Sequence, residues 1–145
     1  IGLSLQLNGL LSDSETRNPN PDFEAPVTRS LPGVPKVSGG MVAIYERPLK
    51  GGLTLRLLGE ASYGGHSALS FDAGQPSRMG HYIRARVSAE VATDIWRLTA
   101  YVSNPFNDAG DTFAYGNPFS FSTEGVRQAT PQRPRTVGVR LAAGF

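Results

Sequence analysis

The sequence predicts an all-β protein in which six long strands form an antiparallel meander. Three observations lead to this fold class. Six segments alternate between apolar and polar residues with a period of two, as strands with two unlike faces do. Glycine occurs 17 times and proline 11 times among the 145 residues, which favours turns and long connections over helices. The connections between the six segments are alternately long and short, so the two ends of the meander differ.

The first two predicted strands lie toward the N-terminus. The first covers residues 1–12, where Leu5 and Leu7 belong to an apolar series that alternates with small or polar residues. The second covers residues 37–46, "VSGGMVAIYE", and its alternation does not distinguish the two faces. A long, proline-rich connection, residues 14–36, separates these strands.

The other four predicted strands place their charged residues on one face only. These strands cover residues 53–63, 81–91, 95–104 and 135–145. Along each strand, alternate residues point to opposite faces, so odd-numbered and even-numbered positions have different parities. On each of these strands the charged residues have the same parity as small and polar residues, and the residues of the other parity are apolar. The charged residues concerned are Arg56, Glu60, Arg84, Arg86, Glu90, Arg97 and Arg140. The predicted sheet therefore has one apolar face and one charged face.

The connections favour a sheet that crosses a membrane. Residues 14–36, 64–80 and 105–134 form three long connections at one end of the meander, and short turns lie at the other end. Outer-membrane barrels have short turns on one side and long external loops on the other, with strands of about 9–11 residues. A soluble antiparallel sheet packed on a core shows the same alternation. A soluble β-sandwich that acts as a binding module is therefore the alternative.

Aromatic residues favour the membrane over the sandwich. Tyr45, Trp96 and Phe145 fall at the short-turn end of their strands, and Tyr63 falls at the long-loop end. Belts of aromatic side chains mark the two interfaces of a barrel that spans a membrane. The sequence therefore predicts transmembrane strands.

The residue inventory offers little for catalysis or for binding a metal. Without cysteine the chain has no thiolate ligand or nucleophile, and His66 and His81 are its only histidines. Ser67 follows His66 directly, and adjacent residues do not form the directed contact of a nucleophile and its base. Asp108 and Asp111 lack the closing glutamate of a calcium loop.

The formal net charge of the chain is +2, and its acidic and basic residues are well mixed. A nucleic-acid-binding protein instead has a cluster of basic residues. We therefore expect no enzyme activity, metal, cofactor or nucleic acid partner.

Three stretches of the sequence occur in the order and spacing of a known family. They are "LPGVPKVSGGMVAIYERPLKGGLTLRLLGEASYGG", "WRLTAYVSNPFND" and "PRTVGVRLAAGF", and the similarity covers most of residues 31–145. These stretches resemble the late-barrel region, the penultimate strand and the final strand of TonB-dependent outer-membrane receptors. The second stretch departs from the Asn-Leu-Phe-Asp-like motif of the family, because Pro105 replaces the usual leucine and Asn107 the usual acid.

The resemblance implies a fold and a function that extend beyond six strands. It implies a barrel of about 22 strands that is filled by an N-terminal plug. Residues 1–145 would be the C-terminal segment of this barrel, with the plug and the earlier strands absent, a native C-terminus and a cut N-terminus. The whole receptor would take up a siderophore, cobalamin, haem or a glycan across the Gram-negative outer membrane, driven by TonB.

The resemblance also implies partners and a location. The partners would be the rest of the barrel and its plug, the TonB complex, the barrel assembly machinery, and outer-membrane lipid with lipopolysaccharide. The long loops would be extracellular and the C-terminus periplasmic.

Candidate site residues follow from this placement. The seven charged residues of the polar face would line the lumen, where they would pair with one another, hold the plug or contact substrate. The ligand candidates in the external loops are Phe113, Tyr115, Phe119 and Phe121. Arg127, Arg133 and Arg135 would meet lipopolysaccharide phosphates or form a solvated basic edge. The last strand resembles an address read by the assembly machinery, carried by Val137, Val139, Leu141, Ala143 and Phe145.

Overall fold

The regular structure of the chain consists almost entirely of β-strands. A computed structural model describes residues 2–18, 20, 30–69, 71, 78–115 and 128–144. In these residues the strands are β1 Gly2–Leu11, β2 Val37–Pro48, β3 Thr54–Gly64, β4 Ser67–Ala68, β5 Arg78–Met79, β6 Tyr82–Ala92, β7 Trp96–Ser103, β8 Asp111–Tyr115, β9 Gln128–Pro131 and β10 Thr136–Ala143. A single 3-10 turn covers Lys50–Gly52 in the same part of the chain. The predicted all-β class is confirmed.

Six long strands form the main sheet. Their order is β1-β2-β3-β6-β7-β10, and every neighbouring pair is antiparallel. Each of the six predicted strands is present, with ends that differ by no more than two residues from the prediction. The last strand ends at Ala143 instead of Phe145, although the Gly144 N–H still donates to the Ile95 carbonyl at 2.9 Å.

The two ends of this sheet differ as the sequence predicts. Between β2 and β3 the Leu49 N–H donates to the Leu53 carbonyl at 2.7 Å, and Gly51 and Gly52 have φ angles of 75° and 74°. Between β6 and β7 the Thr93 N–H donates to the Trp96 carbonyl at 2.8 Å. Both turns lie at the same end because the sheet is an antiparallel meander. The three longer connections all leave from the opposite end.

Two small hairpins lie inside the longer connections, where no strand was predicted. Strand β4 pairs with β5, and β8 pairs with β9 with an irregular register between Asp111 and Phe113. A further bridge joins Gly80 to Asp111, so the hairpins are linked to each other. These strands are two to five residues long, which is too short for a visible alternation.

The main sheet has one apolar face. Residues directly opposite each other on antiparallel strands point to the same side, so the register defines rows across the sheet. The central row on the apolar face is formed by Leu5, Ala43, Gly59, Val87, Val102 and Val137. Strand β2 extends two residues beyond its predicted end, which places Arg47 on this face beside Leu55 at the tight-turn end. Within the strands of the main sheet, Arg47 is the only charged residue on the apolar parity.

The apolar face is exposed. The exposed fractions of Leu3, Leu5 and Val139 are 70%, 56% and 70%. In the described part of the chain, Leu69 and Ala85 are the only buried hydrophobic residues. No other sheet of the described residues has more than two strands, so none is large enough to cover this face. These residues therefore form no hydrophobic core of the kind found in a sandwich.

No helix in the described segments is long and apolar enough to cross a membrane.

Candidate functional site

The seven charged residues predicted to share a face lie together on the polar face of the sheet. One row joins Glu46, Arg56, Glu90, Thr99 and Arg140. In the next charged row Glu60 stands opposite Arg86, and in the row after that Ser62 stands opposite Arg84. Arg97 lies nearest the tight turns, opposite Ala92 and Ala142. The separation of charged and apolar parities in the sequence therefore corresponds to two real faces.

Two charged residues near the tight-turn end, Arg56 and Glu90, have local partners. The Nε of Arg56 lies 3.1 Å from Oε1 of Glu46, and both residues occupy directly opposite register positions. The Thr99 hydroxyl donates to Oε2 of Glu90 at 2.9 Å. Cross-strand pairs of this kind stabilise a sheet by a fraction of a kcal/mol, roughly 0.2–1 kcal/mol each. Arg56 and Glu90 are therefore well explained as structural residues.

A pocket lies at the other end of the polar face, near the long connections. Its volume is about 920 Å³, and it is bounded by the sheet on one side and by β9 and the following residues on the other. Its lining includes Glu60, Arg84, Arg86 and Arg140 from the sheet and Arg133 from the last connection. Four of the seven predicted residues are thus brought together here, and Arg56, Glu90 and Arg97 are not part of it.

Arg86 is held in this pocket by an aromatic ring. Its guanidinium carbon lies 4.9 Å from the centroid of the Tyr101 ring, and the Arg84 guanidinium carbon lies 5.8 Å from that of Tyr82. The Tyr101 ring in turn lies against Gly138, where any side chain would collide with it. Stacking fixes a planar guanidinium without using its N–H donors. The terminal N–H groups of Arg86 therefore remain available toward the pocket, whereas its Nε is buried.

The wall opposite the sheet is anchored by Asn104, which is 6% exposed. Its Nδ2 donates to the carbonyl oxygens of Asp108 at 2.8 Å and Arg133 at 2.9 Å, and its Oδ1 accepts from the Asp108 N–H at 2.9 Å. Asn104 has a φ of 49°, a left-handed conformation that asparagine tolerates better than most residues. One side chain therefore joins the end of β7 to the segment that precedes β10.

Asp108 extends this anchor to β6. Its carboxylate accepts from the Gly110 N–H at 2.7 Å, from the Ile83 N–H at 3.0 Å and from Nε2 of Gln132 at 3.2 Å. The Gln132 side chain also donates to the Ile83 carbonyl at 3.0 Å. The hydrogen bond from Gly110, followed by that from Ile83, lowers the pKa of Asp108 below its ordinary value of 3.8. The carboxylate is therefore ionised, and both of its oxygens accept hydrogen bonds that stabilise the fold.

The aromatic and basic candidates in the long connections lie only partly within the described residues. Phe113 and Tyr115 lie in β8, whereas Phe119, Phe121 and Arg127 lie outside the described residues. Arg133 lines the pocket, and the Arg135 N–H donates to Oδ1 of Asn107 at 3.0 Å. Whether any of them meets lipopolysaccharide or a ligand stays a prediction.

The two histidines lie together at the loop end of the sheet. Their rings stack with centroids 4.6 Å apart, and a hydrogen bond of 3.3 Å joins the Tyr63 hydroxyl to Nδ1 of His81. Within the described ranges no three His, Cys, Asp or Glu residues lie close enough to hold a metal ion. The pair therefore offers a packed aromatic contact and no ligand set.

The residues proposed as an assembly address lie on the outermost strand, β10. Val137, Val139 and Leu141 are 72%, 70% and 71% exposed on the apolar face, and Ala143 shares their parity. Phe145 lies outside the described residues. The described part of this group is thus a continuous apolar edge.

Some residues of the site were not selected from the sequence. Glu46 lies at the predicted end of β2, whose faces the alternation did not distinguish, and it pairs with Arg56. Tyr101 is aromatic but has the polar parity of β7, which was a usable signal for a ring that faces the arginines. Gln132 lies in the last connection, where no periodicity exists to place it.

No protein-family model, no curated protein and no solved structure matches this chain.

Proposed function

We propose that this chain forms adjacent strands of an outer-membrane β-barrel, the C-terminal part of a TonB-dependent receptor. The receptor would take up a siderophore, cobalamin, haem or a glycan across the Gram-negative outer membrane. The observation that carries this proposal is the apolar face of the six-stranded sheet, which is exposed and has no charged residue in its central rows. Three sequence stretches resemble the TonB-dependent receptor family, and this resemblance is the reason for proposing that family among the outer-membrane barrels.

Lipid is the environment that suits this face best. Burying one large apolar side chain is worth about 1.5–3 kcal/mol, and many such side chains are exposed here, so water is a costly surrounding for them. An arginine facing lipid at mid-depth costs about 2–4 kcal/mol, but about 0–1 kcal/mol near an interface. Arg47, at the tight-turn end of β2, would lie at such an interface.

The two outer strands require further strands beside them. β1 and β10 each have only one neighbour in the sheet. Their free backbone N–H and C=O groups would have no hydrogen-bond partner inside a bilayer, which excludes an open sheet there. The proposal therefore includes other strands of the same barrel on both sides.

The polar face would then line the lumen. The pocket lined by Arg84, Arg86, Arg133 and Arg140 would lie beneath the external loops. A nutrient would bind from outside, and force transmitted by the TonB complex to the plug would release it inward. No covalent step is involved, because the chain acts by binding and by forming a path.

Single cysteines test the orientation of the faces, since the chain has none of its own. Leu5→Cys and Gln6→Cys are neighbours on β1 with opposite parity, and both positions are exposed in the sheet. In lipid vesicles we expect a water-soluble maleimide to label Gln6→Cys quickly and Leu5→Cys slowly, and both to react after denaturation. Equally fast labelling of the two cysteines in vesicles would contradict the membrane location.

A further inference from the structure

We propose that the pocket at the loop end of the polar face binds a small molecule that carries several carboxylate or phosphate groups. This inference rests on the proposed function, because it names the chemical class of the nutrient. Among the described residues, four arginines line the pocket, Arg84, Arg86, Arg133 and Arg140, against one carboxylate, that of Glu60. An excess of positive charge in a recess attracts and concentrates anions.

The arginines of the pocket differ from Arg56 in lacking a carboxylate partner. Arg56 is paired with Glu46, whereas in the described part of the chain none of the four pocket arginines forms an ion pair. Glu60 and Arg86 are directly opposite in the register, yet the Arg86 guanidinium lies over Tyr101 instead. Within the described residues, the positive charge of the pocket is therefore not neutralised by ion pairs.

One donor in the pocket lacks the hydrogen bond that burial normally demands. Nε of Arg86 is inaccessible to solvent and has no partner among the described residues. A buried donor without a partner costs about 1–3 kcal/mol, more if it is charged. A bound carboxylate or phosphate supplies two or three acceptor oxygens for the terminal N–H groups of Arg86, and it reaches the buried Nε only if the side chain shifts toward the pocket.

The size and neutral lining of the pocket suit a small molecule. Small-molecule sites have volumes of about 300–1,000 Å³, and this pocket has about 920 Å³. Asn8, Ser62 and Tyr101 add neutral polar groups to the lining. A molecule with two or three anionic groups can thus contact arginines on different strands at the same time.

Calorimetric titration of the full protein in detergent micelles tests this inference. The probes are citrate and inorganic phosphate as small anions, a hexaglutamate peptide as an anionic protein segment, glucose as a neutral molecule and spermidine as a cation. The variants are Arg86→Gln and Arg84→Gln, and the matched control is Arg97→Gln, an exposed arginine of the same face outside the pocket. Circular dichroism checks that each variant keeps its strands.

We expect citrate or phosphate to bind, and glucose and spermidine not to bind. Loss of one charge-assisted hydrogen bond should weaken anion binding about ten-fold or more in Arg86→Gln and Arg84→Gln. Arg97→Gln should change binding by no more than about two-fold, the scale of an exposed charge.

Three results would overturn the inference. They are no binding of either anion, equal weakening by all three substitutions, and binding of a hexaglutamate peptide without binding of citrate, which would identify a protein segment as the occupant. The maleimide experiment separates this inference from the proposed function. Protection of Leu5→Cys in vesicles without anion binding refutes only the pocket assignment, and anion binding without protection refutes only the membrane location.

Discussion

At the scale of single residues, Asn104 and Asp108 explain why a short stretch after β7 has its particular sequence. Asn104 binds two carbonyl groups and one N–H, and Asp108 binds donors from β6 and from the last connection. Both side chains replace hydrogen bonds that a sheet would otherwise supply to these backbone groups. In the sequence this stretch stood out through its resemblance to a family motif and through Asp108, which was considered as part of a calcium loop and rejected. Its physical role is to fix the wall of the pocket.

Asp108→Asn tests this role and its pH dependence. Asparagine keeps one acceptor oxygen and turns an NH₂ group toward a donor, so we expect a loss of about 1–3 kcal/mol in the free energy of unfolding at pH 7. The fold lowers the pKa of Asp108, so its ionised form is favoured in the folded state. The stabilisation is therefore fully present above the ordinary pKa of 3.8 and is lost as the pH falls through the lowered folded value.

Denaturant titrations in detergent micelles at pH 7 and pH 3 measure both effects. Asp94→Asn is the control, because Asp94 is exposed in the tight turn between β6 and β7. The protein should lose stability between the two pH values, and Asp108→Asn should lose less. If Asp94→Asn costs as much as Asp108→Asn, the anchor has no special role.

At the scale of elements, the turn between β2 and β3 depends on the conformational freedom of glycine. Gly51 has a φ of 75°, and an alanine there would have open space but a strained backbone. We expect Gly51→Ala to destabilise the fold by about 1–2 kcal/mol.

Gly59 in β3 provides the control. It also has no neighbour within 4 Å of an added Cβ, and its φ is not positive. Gly59→Ala should therefore be neutral or slightly stabilising, and unfolding measurements that show equal costs would contradict this assignment.

The six long strands could be predicted because each contains enough residues for the alternation to appear. On β6, Arg84 and Arg86 share one parity while Val87 and Val91 share the other, and tertiary contacts do not override this pattern. Strand β4 has only two residues, Ser67–Ala68, which no periodicity can reveal. Short strands of this kind form because a neighbouring segment offers hydrogen-bond partners to their backbone. The position of that segment cannot be read from the residues of the short strand itself.

The site was predicted as a set of residues on one face but not as a pocket. Parity placed Arg84 and Arg86 correctly on the polar face, yet parity is identical for Arg56 and Arg97. The pairing of Arg56 with Glu46 and the position of β9 over the other arginines depend on register and on the path of a long connection. Neither follows from an alternating pattern, because such a pattern specifies a face and not a depth along the strand.

At the scale of the whole molecule, stability cannot come from a core within the described residues. Only two hydrophobic residues of this part are buried, and most of the large apolar side chains of the main sheet lie on its exposed apolar face. What holds the sheet together is its ladder of backbone hydrogen bonds, supplemented by cross-strand pairs on the polar face. If the sheet lies in a bilayer, as proposed, unpaired backbone groups there would cost several kcal/mol each, which would strengthen the ladder.

The two faces should respond in opposite ways to a new charge. Leu5→Arg places a guanidinium in the central apolar row, and Gln6→Arg places the same group one residue along β1 on the polar face. If the apolar face contacts lipid at mid-depth, Leu5→Arg should cost about 2–4 kcal/mol in the free energy of unfolding in vesicles. Gln6→Arg should change stability little, since the polar face already includes arginines and Glu60, which lies in the same row two strands away, carries the opposite charge. Both variants introduce an arginine at adjacent positions of the same strand, so the change that each causes relative to the unsubstituted protein reports the environment of its face. Equal stability of the two variants in vesicles, measured by denaturant titration, would show that the apolar face is not in contact with lipid.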